Sequence, residues 1–171
     1  MGRQIGLNWR GRTVLRLLSM GTLVVGICFL VAAHATAEDI ALTKLPPAVR
    51  KAADKAVPKA KWESASKETE DKKEFWYELV GKDAKGRSVH VTVSTDGTVD
   101  EVSTEIEYKD APKVVKDALK AKFPKFKVET SYEIRKDEKI ERFDFEGKRP
   151  KDKEEITISV SPDGKSVEVD E

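Results

Sequence analysis

Residues 46–63 read PPAVRKAADKAVPKAKWE, and residues 112–129, an offset of 66, read PKVVKDALKAKFPKFKVE. Pro46, Val49, Ala52, Pro58, Lys59, Lys61 and Glu63 recur as Pro112, Val115, Ala118, Pro124, Lys125, Lys127 and Glu129, and Val57 recurs as Phe123. Self-similarity at a fixed period marks a repeated supersecondary unit. Within each copy the apolar residues fall at i, i+3 and i+4: Val49, Ala52, Ala53 and Ala56, then Val114, Val115, Ala118 and Leu119. That spacing lines one face of a helix and leaves the lysines on the others. Pro46, Pro47 and Pro112 suit a first helical turn, whereas Pro58 and Pro124 stop the helix. The pattern predicts helices over 45–57 and 111–123.

After each helix the period changes from 3.6 to 2. Alternation predicts strands over 61–68, 74–82, 87–95 and 98–108, then 126–136, 139–147, 154–162 and 165–170. Asp96-Gly97 and Asp163-Gly164 supply residues that accept positive φ in tight hairpins. The expectation is an α+β chain of two tandem modules, 45–108 and 109–171, each a helix packed on a four-stranded antiparallel meander sheet. The alternation is compatible with sheets joined edge to edge and with sheets packed separately.

Residues 1–37 carry Arg3, Arg10, Arg12 and Arg16 but no acid, then an apolar run, then Ala35-Thr36-Ala37. This is the order of a secretory signal peptide, with cleavage expected after Ala37, a linker over 38–44, and a secreted or periplasmic product. Leu17 to Ala33 is near the short limit for spanning a bilayer, about 17 residues, which disfavours a retained anchor. Ile27 before Cys28 disfavours lipidation. Cys28 is the sole cysteine, so the mature chain enters an oxidising compartment with no disulfide and is held by packing. From Glu38 onward it has 28 Lys and Arg against 31 Asp and Glu, a net charge of −3. The signs are interleaved, and the absence of a basic stripe argues against a nucleic-acid partner. No membrane contact beyond the signal segment is implied.

Catalysis finds little support. Outside the signal the chain has one imidazole, His90, no thiol and no Gly-x-Ser-x-Gly elbow. One histidine cannot assemble a zinc site, and neither Asp96 with Asp100 nor Asp152, Glu154 and Glu155 follows the ligand order of a calcium loop. No cofactor is expected. The period of two sends Phe75, Tyr77, Leu79, Val89, Val91 and Val93 to the helix side, with Phe143, Phe145, Ile156, Ile158 and Val160 as counterparts. The opposite side then carries Trp76, Glu78, His90 and Thr92, and Arg142 and Asp144 in the second half. A large ring exposed on a sheet tends to anchor an interface, so these six residues are the candidate partner-binding set. Trp76 packing against the rest of the chain is the plainer alternative, and Trp62 reads as core.

Leu-Pro-x-x-Val before an Ala-rich helix, Pro-Lys-Ala-Lys-Trp at its end, then Phe-Trp-Tyr-Glu-Leu-Val and Val-His-Val-Thr-Val-Ser-Thr-Asp-Gly together resemble the PepSY-like family. More narrowly, the chain looks like the group similar to β-lactamase-inhibitory proteins, over about residues 42–171. The resemblance implies an exported, non-catalytic binding module. PepSY modules are associated with restraining peptidases, and the tandem inhibitory proteins grip an enzyme with the open faces of two sheets. The implied partner is therefore a protein such as an extracytoplasmic peptidase or other hydrolase. Those inhibitors carry disulfides, and this chain departs from them in having no mature cysteine. A small-ligand or ion-binding envelope protein, and a structural envelope protein without a discrete site, are the competing readings.

Overall fold

A computed structural model of the chain describes residues 36–70, 74–149 and 155–170. The signal segment up to residue 35 lies outside the described residues. The elements run β1 (Thr36–Asp39), α1 (Pro47–Ala56), β2 (Lys61–Glu70), β3 (Glu74–Lys82), β4 (Ser88–Ser94), β5 (Val99–Ile106), α2 (Lys113–Lys122), β6 (Lys127–Lys136), β7 (Lys139–Lys148), β8 (Ile156–Val160) and β9 (Val167–Asp170). Short 3-10 turns, Leu42–Lys44 and Tyr108–Asp110, precede the two helices.

The strands form one antiparallel sheet in chain order, β1 to β9. This corrects the expected α+β pair of four-stranded modules: the described residues are mainly β, a nine-stranded sheet with two helices. The join is β5 with β6, paired from Val102↔Arg135 to Ile106↔Ser131. Its physical reason is the edge problem, since two separate sheets would each leave a long row of unpaired N–H and C=O groups there. The ninth strand, β1, pairs with β2 from Thr36↔Thr69 to Asp39↔Ser66, the register that β5 repeats with β6 at an offset of 66. The expected cleavage point after Ala37 falls inside β1, with the Glu38↔Lys67 and Asp39↔Ser66 pairs on the retained side.

Both helices lie on the same side of this sheet, over two hydrophobic clusters. Beneath α1, Val49 and Ala53 meet Leu79, Val89, Val91 and Val93, all of them fully buried. Beneath α2, Val115 and Leu119 meet Phe143, Phe145, Ile158 and Val160. Each of these Val, Leu, Ile and Phe side chains contributes about 1.5–3 kcal/mol through removal from water. Between the clusters the helix side of β5 and β6 is polar, with Thr104 and Ser131 buried. The two cores are thus separate, and the sheet that backs them is continuous.

Local devices recur in both halves. Each helix starts after a proline in extended conformation, Pro46 or Pro112, and ends where Val57 or Phe123 donates its N–H to Ala53 O or Leu119 O. Gly97 and Gly164, both at positive φ, turn the last hairpin of each half and pack on Ala48 and Val114. At the first hairpin a bulge between Trp62 and Ser64, or between Val128 and Thr130, brings the backbone onto Gly81 or Gly147. A Cβ at those glycines would sit 2.3 Å from Lys61 O and 2.0 Å from Lys127 O.

Candidate functional site

The face turned away from the helices is organised by three register rows. One runs Asp39, Ser66, Glu78, Thr92, Glu101 across β1 to β5. A second runs Val80, His90, Ser103, Ile134, Arg142 across β3 to β7. The third runs Glu105, Tyr132, Asp144, Ser159, Glu168 across β5 to β9. Cross-strand partners in an antiparallel sheet share a face, so all these side chains project to one side. Trp76, opposite Glu68 and Ser94, projects to the same side. All six residues singled out from the sequence therefore share this open face, and among the described residues no helix covers it.

They do not form one cluster. Glu78 and His90 meet across β3 and β4, with Oε1 3.0 Å from Nδ1. The hydrogen bond from His90 outweighs the cost of burial and lowers the Glu78 carboxyl below its usual range, with the neighbouring Glu68 acting in the same direction. Thr92 stands between Glu78 and Glu101 in register. Trp76 is half-buried near one end of the strands, four strands from Asp144.

Arg142 and Asp144 belong to a second group. The Arg142 guanidinium donates Nε–H to both carboxylate oxygens of Asp144 at 3.1 Å and an Nη2 hydrogen to Glu101 at 3.0 Å. Ser159 Oγ donates to Asp144 at 2.6 Å. The Arg142 side chain is 21% exposed, Glu101 19% and Asp144 10%. At this depth burial pushes the Glu101 carboxyl upward despite the guanidinium beside it. For Arg142 the two carboxylates prevail over burial and raise its pKa further. The bridge reaches from β7 over β6 to β5, and so ties the two halves on the face opposite the cores. Ile134, an apolar residue on this face, is 3% exposed under that span.

Residues beyond the expected set also shape the face. Glu101, Tyr132, Ile134 and Glu146 all lie on β5, β6 or β7. Alternation with the buried Val102 and Thr104 could have identified Glu101, but which strands flank β5 and β6 was not legible in either half alone. Tyr132 hydrogen-bonds Glu146, and burial with the charges of Glu146, Glu105 and Glu155 pushes its phenol up to about 12. Burial, reinforced by Glu155 and Asp144, likewise raises the Glu146 carboxyl. Among the described residues no three His, Cys, Asp or Glu side chains are grouped as metal ligands. No described helix is long and apolar enough to cross a membrane.

No protein-family model and no curated protein matches the chain. Solved structures do. A DUF2874 family protein from Bacteroides uniformis aligns at TM-score 0.57 and 16% identity, covering 72% of this chain and 88% of its own. A candidate periplasmic protein from Bacteroides eggerthii aligns at TM-score 0.56 and 19% identity, over 72% and 88%. A BLIP-like protein from Bacteroides fragilis aligns at TM-score 0.55 and 18% identity, over 73% and 87%. At these identities the likeness is one of fold: the chain has a BLIP-like fold.

Proposed function

We propose that this protein is an exported, non-catalytic module that binds another protein through its open sheet face, and that it restrains or regulates an extracytoplasmic enzyme such as a peptidase. One observation carries the reading: both helices lie on one side of a nine-stranded sheet, and the other side, with Trp76, Glu78, His90, Thr92, Arg142 and Asp144 on it, is left uncovered among the described residues. A broad, ordered sheet face lined by an aromatic ring and fixed ion pairs offers a preformed surface at low entropic cost. The sequence resemblance to the PepSY-like and β-lactamase-inhibitor-like groups supports the same reading, as do the BLIP-like and candidate periplasmic structural relatives.

The test is a pull-down from the source organism's extracytoplasmic fraction with the chain from Glu38 onward as bait. Trp76→Ala and Thr92→Arg alter the open face, and Lys120→Glu alters exposed α2 as a control. Retention of one enzyme by the native bait and the control, with loss in both face variants, is the expected outcome. Equal retention by all four baits would move the contact to another surface, and an empty pull-down would favour the ligand-binding or structural readings.

A further inference from the structure

The open face is uncovered, and it also differs in charge from the rest of the molecule. Carboxylates project from strands across this face: Asp39, Glu68, Glu78, Glu101, Glu105, Asp144, Glu146 and Glu168 among them. The cations among them are Arg142, already bonded to Glu101 and Asp144, and His90, already paired with Glu78. Lysines on this side, Lys61, Lys82, Lys127, Lys136, Lys139 and Lys148, all stand at strand ends. The helix side is reversed in sign. Helix α1 carries Arg50, Lys51 and Lys55 against Asp54, and α2 carries four lysines against Asp117. Away from the strand ends the open face is therefore acidic, while the exposed sides of the helices are basic.

The imbalance is sharpest over β5 to β7. Glu105 is in register with Tyr132, Glu146 accepts the Tyr132 hydroxyl hydrogen, and Glu155 lies close enough to act on both Tyr132 and Glu146. Among the described residues no Lys or Arg forms an ion pair with Glu105 or Glu146, and the one cationic influence on Glu146 is the more distant charge of His90. Burial first, and the neighbouring carboxylates after it, raise the Glu146 carboxyl and the Tyr132 phenol. A Lys or Arg side chain arriving here would relieve like-charge repulsion and meet the face of an aromatic ring, two terms that favour a cation together.

We propose that the surface docking on this open face is basic: a protein segment presenting Lys or Arg, with one cationic side chain seated between Glu105 and Glu146 against Tyr132. The proposal rests on the protein-binding reading above and specifies its partner chemistry. Electrostatic complementarity of this kind speeds encounter and fixes register more than it adds affinity, so it should appear first as salt dependence.

The experiment titrates two synthetic peptides into isotope-labelled protein from Glu38 onward, one alternating Lys and Arg with Gly, the other alternating Glu with Gly. Amide shifts are read by NMR. The basic peptide is expected to shift β5, β6 and β7 amides around Glu105, Tyr132 and Glu146, and the acidic peptide is expected to leave them still. Replacing Glu105 and Glu146 by Gln should weaken the basic peptide about 2- to 10-fold, the loss of two partly exposed ion pairs. Replacing Asp54 and Asp117 by Asn on the helix side should change nothing. Shifts on the helix side, equal response to both peptides, or saturation by self-association of the protein through its own lysine-rich helices would each overturn the inference. With the enzyme retained in the pull-down, retention that survives Glu105→Gln/Glu146→Gln and about 0.5 M salt but not Thr92→Arg would sink the basic-partner inference and leave the docking face standing. Retention insensitive to Thr92→Arg would sink the docking face itself.

Discussion

Arg142 is the side chain on which the open face depends most, because it neutralises Glu101 and Asp144 at once and each of these is largely removed from water. Removing one partner of such a group leaves uncompensated charge at low dielectric. Arg142→Met is expected to destabilise the protein by about 2–3 kcal/mol in urea unfolding. Adding Glu101→Leu should recover part of that loss, and a double-mutant cycle with no coupling would refute the bridge. The Glu78–His90 pair predicts a pH effect of definite sign. Its folded carboxyl lies below its unfolded value, so its stabilisation is present above about pH 4.3 and disappears as pH falls through the lower folded value. Glu101 and Glu146 are raised, so they weaken the fold above their folded values and cease to do so on acidification. Melting temperature should hold or rise slightly from pH 7 towards pH 5 and fall below about pH 4. Glu78→Gln should flatten that fall, whereas Glu146→Gln, which still accepts from Tyr132, should raise the melting temperature at pH 7 by about 1–3 °C.

Within single elements, the sequence was informative because its signals are local. Proline at the entry and exit of each helix, and glycine after aspartate in each final hairpin, act within a few residues, and both helices and eight of the nine strands lie where periodicity predicts them. Asp163 shows how self-contained such a turn is: the backbone N–H of Lys165, with the Ser161 hydroxyl, draws its carboxyl down to about 2. Trp62, expected in the core, is buried with its Nε1–H donated to Asp54 at 2.7 Å, which fastens α1 to the strand after it. The bulges facing Gly81 and Gly147 are not legible, because nothing in an alternating run announces an extra residue opposite a glycine 18 positions away. Those glycines make the element-scale prediction. Gly147→Ala would drive a Cβ into Lys127 O, backbone that cannot swing aside, and should cost about 3 kcal/mol or more or prevent folding. Gly164→Ala, strained chiefly by its positive φ, should cost about 1–2 kcal/mol, and thermal melts of the two variants would order them.

For the molecule as a whole, the sequence leaves the junction open and suggests two sheets where there is one, and the reason is physical. Apolar periodicity reports cores, and there are two of them, divided by the buried Thr104 and Ser131. Sheet continuity is made by backbone hydrogen bonds between β5 and β6, which leave no mark on side-chain pattern. The candidate face followed the same division: each half's outward residues could be named by alternation, but the Glu101–Arg142 bridge exists only once the halves share a sheet. Joined in this way, the halves should not be separable. A fragment of about 65 residues buries only about 60% of its unfolded surface, and cutting at the junction would also expose the Val102–Ile106 or Ser131–Arg135 edge. Fragments 38–108 and 109–171, produced separately, are expected to give the collapsed amide spectra of unfolded or aggregating chains, while the chain from Glu38 onward unfolds in urea in one transition seen alike by Trp fluorescence and far-UV circular dichroism. Trp62 and Trp76 both report on the first half, so a fluorescence transition that precedes the dichroism change would mean that β5 and β6 join two independently stable units. In that case the Arg142 bridge, rather than the shared sheet, would be what holds the open face to one geometry.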